Sequence, residues 1–74
     1  MDLRSTFAAN LRRLRADKGW SQEALAFEAG VNRSYLARVE AGRPYVGLEI
    51  IGKLAEALQV EPAELLKLPK RTRS

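Results

Sequence analysis

Apolar residues recur along most of this chain at spacings of three and four, the period of an amphipathic helix, and no stretch alternates as a half-buried strand would. Phe7, Leu11 and Leu14 draw the first stripe and predict a helix over residues 5–18, ended by Gly19. Ser21 is suited to cap a second helix, because its hydroxyl can accept from free backbone N–H groups. That helix should run to about Ala29, burying Leu25 and Ala26 and leaving Gln22, Glu23 and Glu28 outside. Trp20 reads as core. Phe27 fits two readings, a cover for the core's edge or part of an exposed apolar patch.

Asn32 caps a third helix through about Ala41, closed by Gly42, with Val31, Leu36 and Val39 toward the core. Its opposite face carries Arg33, Ser34, Ala37 and Arg38, with Tyr35 beside them. Residues 43–47 form a loop. Leu48, Ile51, Leu54, Ala55 and Leu58 then give the clearest stripe in the chain, a core helix over 48–58. Pro62 opens a short fifth helix at proline's preferred first position, and Leu65, Leu66 and Leu68 follow. The fold class is therefore all-α, a compact five-helix domain over residues 1–69, followed by a basic tail over 70–74 that is expected to be disordered in isolation.

Composition narrows the chemistry. The 74 residues allow one domain and contain no cysteine or histidine, which removes disulfides, zinc fingers, thiol nucleophiles and histidine bases. The carboxylates sit at helix starts and on outer faces, where capping and solubility account for them. No nucleophile–base pair or metal-ligand set is found. The expectation is a non-enzyme that needs no cofactor and has no small-molecule ligand. With no apolar run of membrane-spanning length and no signal-peptide core, a soluble, cytoplasmic protein is expected.

The net charge of +4 is unevenly spread: five basic and two acidic groups in residues 1–19, four and seven in 20–66, four and none in 67–74. A positive field at both ends can steer the chain toward a polyanion, and it equally suits a solvated surface.

The stretch 21–42 organises the rest. Two short helical patterns meet at Ala29-Gly30-Val31, where glycine permits a left-handed turn and small residues let the helices approach closely. That is a helix-turn-helix unit, whose second helix is normally the one offered to the DNA major groove. From about Phe7 to Leu66 the chain resembles the phage-repressor and Xre-like helix-turn-helix regulators, a lambda-repressor-like family that includes restriction–modification controller proteins. The resemblance is carried by Leu11-Arg12 and Arg15, Ser21-Gln22-Glu23 with Leu25-Ala26, Gly30-Val31, Leu36, Val39-Glu40 and Gly42. Leu54-Ala55, Ala57-Leu58 and Leu65-Leu66 extend it.

The resemblance implies a transcription regulator that binds double-stranded DNA as a homodimer on a pseudo-palindromic operator, without a membrane. Carried over by position, Arg33, Ser34 and Arg38 would read bases. Gln22, Asn32 and Arg43 would meet the DNA backbone, while Tyr35, read by itself, could cover apolar surface, contact a backbone phosphate through its hydroxyl, or pack on a thymine methyl. Arg15 and Glu40 would form a structural ion pair. Val60, Leu65, Leu66 and Leu68 could serve as a dimer patch or simply complete the monomer core. The competing function is a protein-interaction module, such as an antitoxin or adaptor, using Phe27, Tyr35, Tyr45 and Val46. The pattern departs from the family at Ala37, where serine is common, at Pro44, Val46 and Gly47 in the loop, and at Gln59. Gln59 stands where glycine usually follows the fourth helix, so a strained turn or a different geometry is expected there.

Overall fold

The computed structural model describes residues 2–68. Within them lie five helices: α1 (Leu3–Lys18), α2 (Gln22–Ala29), α3 (Arg33–Glu40), α4 (Leu48–Leu58) and α5 (Pro62–Leu66). α1 begins two residues earlier than its apolar stripe suggests, because the Asp2 carboxylate caps it by accepting from the Arg4 backbone N–H at 3.0 Å. That bond, the largest influence on the group, holds the Asp2 carboxyl below its usual pKa. Ser21 and Asn32 cap α2 and α3 through their side-chain oxygens, at 3.0 Å to Ala24 N and 3.1 Å to Tyr35 N.

The helices close around one core. α1 packs against α3, α4 and α5, while α2 packs against α3 and α4. Leu11, Leu25, Leu36, Leu54 and Leu65 are fully enclosed, with Phe7, Leu14, Val39, Ile51 and Leu58 around them. Burying each such side chain contributes roughly 1.5–3 kcal/mol, which makes this cluster the main source of stability. Trp20 and Val31 pack against it from the edge.

Two apolar assignments are settled by the packing. Leu48, expected in the core stripe, is 86% exposed. Its azimuth is right, two turns before Ala55, but it is the first residue of α4 and projects beyond the end of the core. Phe27 is 82% exposed, so of its two readings the structure selects the surface one.

Four helices end in the same Schellman turn, in which the second residue past the cap donates back across the last turn. The pairs are Trp20 N to Arg15 O, Val31 N to Ala26 O, Arg43 N to Arg38 O and Val60 N to Ala55 O, at 3.0–3.2 Å. The left-handed residue is glycine in three of these turns and Gln59 in the fourth, with φ 61°. The chain therefore keeps the glycine-type geometry at Gln59 and carries the strain.

Candidate nucleic-acid interface

α3 has two chemically distinct sides. At about 100° per residue, Arg33, Ser34 and Arg38 fall within an arc of about 140°. All three are exposed, and Ala37 lies between them, half-buried. Leu36, Val39 and Glu40 occupy the other side and are buried. Among the described residues, Arg33 and Ser34 have no side-chain hydrogen bond to the protein, while the Arg38 guanidinium lies 5.6 Å from the centre of the half-buried Tyr35 ring. The outer side thus offers donors aimed at solvent from a rigid helix.

The buried side is fixed by a polar network around Glu40, which is only 3% exposed. Arg15 Nε donates to Glu40 Oε2 at 2.7 Å and Arg15 Nη2 to Glu40 Oε1 at 2.9 Å, a bidentate pair between α1 and α3. The third arginine nitrogen, Nη1, donates to the Trp20 carbonyl at 2.8 Å, so the same side chain holds the α1–α2 turn. The hydrogen bonds that Arg15 donates to Glu40 raise the Arg15 pKa, against the opposing effect of burial. Arg12 donates to the backbone carbonyl of Glu40. Gln22, the first residue of α2, joins the network by donating from Nε2 to Glu40 Oε1 at 3.1 Å. These bonds fix the angle between the two helices of the helix-turn-helix unit.

The remaining residues singled out from the sequence are distributed as follows. Asn32 is exposed, with Oδ1 spent on capping the start of α3. Arg43 is exposed, and its backbone carbonyl accepts from Arg4 Nη1 at 3.2 Å. Of the apolar four, Leu65 is completely buried between α1 and α4, which removes it from any surface patch; a domain this small needs that leucine in its core. Val60 packs partly against the core, whereas Leu66 and Leu68 are exposed. The tail 70–74 lies outside the described residues.

Two supporting contacts went unnoticed in the sequence. Arg4 stacks over the Tyr45 ring at 4.5 Å while bonding the Arg43 carbonyl, clamping the start of α1 to the loop after α3. Asn10 is buried and donates from Nδ2 to the carbonyls of Leu65 and Lys67 at 2.9 and 2.8 Å, satisfying the end of α5. The second had a signal: Asn10 stands three residues after Phe7 and four before Leu14, on the apolar stripe itself. The first had none, since nothing local relates Arg4 to a loop 39 positions away.

Among the described residues no cluster of carboxylates could hold a metal ion, and no helix is long and apolar enough to cross a membrane.

Known proteins match this arrangement closely. A family model described as helix-turn-helix covers residues 11–65. A hypothetical transcription factor from Neisseria meningitidis is 45% identical over 69 residues, 93% of this chain, and the chain spans 65% of that relative's length. The crystal structure of a hypothetical transcription factor from Neisseria superposes with a TM-score of 0.88 at 46% identity, over 92% of this chain and 78% of that one. The restriction–modification controller protein C.AhdI from Aeromonas hydrophila gives 0.81 at 52% identity, over 84% and 94%. Control protein C.BamHI from Bacillus amyloliquefaciens is 39% identical over 88% of this chain and 82% of its own. On the fold, on the two-faced α3 and on these likenesses, the chain belongs to the helix-turn-helix family of transcription regulators.

Proposed function

We propose that the protein is a sequence-specific, double-stranded DNA-binding regulator of transcription that acts as a homodimer on a pseudo-palindromic operator, with α3 in the major groove. The observation that carries this is the exposed side of α3, where Arg33, Ser34 and Arg38 project from a helix pinned rigidly on its other side. An arginine can donate two hydrogen bonds to guanine O6 and N7, and Ser34 can serve either base edge. Asn32, Tyr35, Arg43 and Gln22, at or beside the helix ends, are suited to hold the phosphates that set the register. No cofactor or chemical step is needed. Such a regulator works in the cytoplasm, where the DNA is.

Pairing of two copies would use Leu66 and Leu68, with Val60 at the edge and Leu65 supporting them from the core. Leu66 also lines a groove with Leu3, Pro44 and Tyr45, which adds apolar surface beside that patch. A protein-interaction module draws support from the exposed Phe27 and Tyr45, whereas Tyr35 and Val46 pack partly against the core and offer less surface to a partner.

Selection of bound DNA from a random pool, followed by sequencing, tests the reading. A shared palindrome is expected, with affinity falling steeply as salt rises because phosphate contacts release counterions. No common motif, or a preference untouched by replacing Arg33 and Arg38 with alanine, would overturn it.

A further inference from the structure

We infer that Glu40 is a positioning residue for DNA-backbone contact: held by Arg15, it dictates which end of the Gln22 amide faces the protein and so indexes the phosphate contact of α2 to the reading helix α3. The inference rests on the DNA-binding reading above. A glutamine amide has a donating and an accepting end of nearly equal size, and an exposed glutamine can present either to a ligand. Gln22 lacks that freedom. Glu40 is a buried carboxylate that only accepts, both its oxygens already engaged by Arg15, and the Gln22 Nε2 donates to Oε1 at 3.1 Å. Turning the amide over would set its carbonyl against a carboxylate oxygen in a poorly solvated site, an arrangement of two acceptors with no proton between them.

With one N–H committed to Glu40, the second N–H on the same nitrogen is the only side-chain donor that Gln22 can offer. A phosphate also only accepts. The nitrogen therefore bridges two anionic groups, one proton to each, and the phosphate must lie along the direction that the Glu40 bond leaves open. Because Glu40 is the last residue of α3, a backbone contact made from α2 becomes a measure of where α3 sits in the groove. Arg15 supplies the rigidity, since it fixes both carboxylate oxygens from α1.

A double-mutant cycle on the selected operator tests this, comparing wild type, Gln22→Ala, Glu40→Gln and the double variant at fixed salt and below the melting temperature of each. A glutamine at 40 can accept or donate and no longer orients its partner. Glu40→Gln is expected to weaken binding about tenfold in the wild-type background, the scale of one hydrogen bond to a charged group, and to have little further effect once Gln22 is alanine. The order of base preference should not change. Equal losses in both backgrounds would mean that Glu40 acts only through the fold, and the inference fails.

Nitrogen-edited NMR of the unaltered protein gives a second test that does not depend on a variant folding. The proton bonded to Glu40 should keep its shift when operator is added while its geminal partner moves downfield. Movement of the Glu40-bonded proton instead, or of neither while DNA binds, overturns the inference. Failure to bind any DNA is a separate outcome that takes the functional reading down with it.

Discussion

The two sides of α3 solve opposite problems. On the buried side, Leu36 and Val39 fill the core and every oxygen of the Glu40 carboxylate has an arginine donor, so each group is spent on holding the helix. On the exposed side, Arg33 and Ser34 spend nothing on the protein. A helix of only eight residues would be marginal alone, and its order comes from the buried side. The comparison teaches that the surface proposed to read DNA is held from behind, which leaves its donors free at the front.

The most forceful way to break this division is Arg15→Ala. It leaves the Glu40 carboxylate buried without its bidentate donor, and breaking such a pair from one side is expected to cost about 3 kcal/mol. Chemical denaturation monitored by circular dichroism would measure it. Arg15→Met combined with Glu40→Met should recover much of that stability, because an apolar pair of similar volume removes the unpaired charge. DNA affinity should not recover with it, since the apolar pair no longer fixes Gln22.

On the free side the expected signature is reversed. Arg33→Ala or Arg38→Ala should each cost about 1–3 kcal/mol of discrimination at one base position, read by binding competition between operators. Folding stability should shift by no more than about 0.5 kcal/mol. A large fall in melting temperature would show that this side also holds the fold, and the division between the two sides would not survive.

Asn32 sits where the sides meet, and Asn32→Asp separates its capping bond from its proposed phosphate contact. Aspartate keeps the capping oxygen and suits the helix N-terminus, so stability should hold or rise by a few tenths of a kcal/mol. It also replaces an amide donor with a charge that repels phosphate. DNA binding should weaken at low salt, and the deficit should shrink as salt screens the repulsion.

Local patterns explain how much of this was legible beforehand. The bounds of α4 and the caps at Ser21 and Asn32 follow from apolar period and side-chain oxygens within a few residues, and the structure has them where the sequence put them. The start of α1 is not visible in the stripe, which begins at Phe7, because a helix begins wherever a cap allows it. Leu48 shows the limit of periodicity, which gives azimuth but not where the neighbouring helices stop. On the interface, residue spacing gave the exposed arc of α3. The bond from Gln22 to Glu40 and the Arg4 clamp on the loop depend on which side-chain ends meet across 18 and 39 positions, and no local pattern carries that.

The smallest expected effect concerns the ends of α3 and α4, which close in the same turn on different residues. The left-handed backbone costs a side-chain-bearing residue about 1–2 kcal/mol, against about 0.5–1 kcal/mol of chain entropy for glycine. Gln59→Gly also forfeits the exposed bond from Lys18 Nζ to Gln59 Oε1 at 2.7 Å. The net gain should be about 0.5 kcal/mol, seen as a slightly higher denaturation midpoint with unchanged DNA preference. In the reciprocal change, Gly42→Gln, the added Cβ meets nothing closer than Ala8 Cβ and the Arg4 carbonyl oxygen, both at 3.8 Å, so the cost at Cβ should be conformational, about 1 kcal/mol. Yet Gly42 joins α3, the proposed reading helix, to Arg43, whereas Gln59 joins α4 to α5. If the turn at Gly42 serves only to end a helix, the two substitutions should differ in stability alone; if it also aims Arg43, Gly42→Gln should weaken operator binding by more than its stability cost explains.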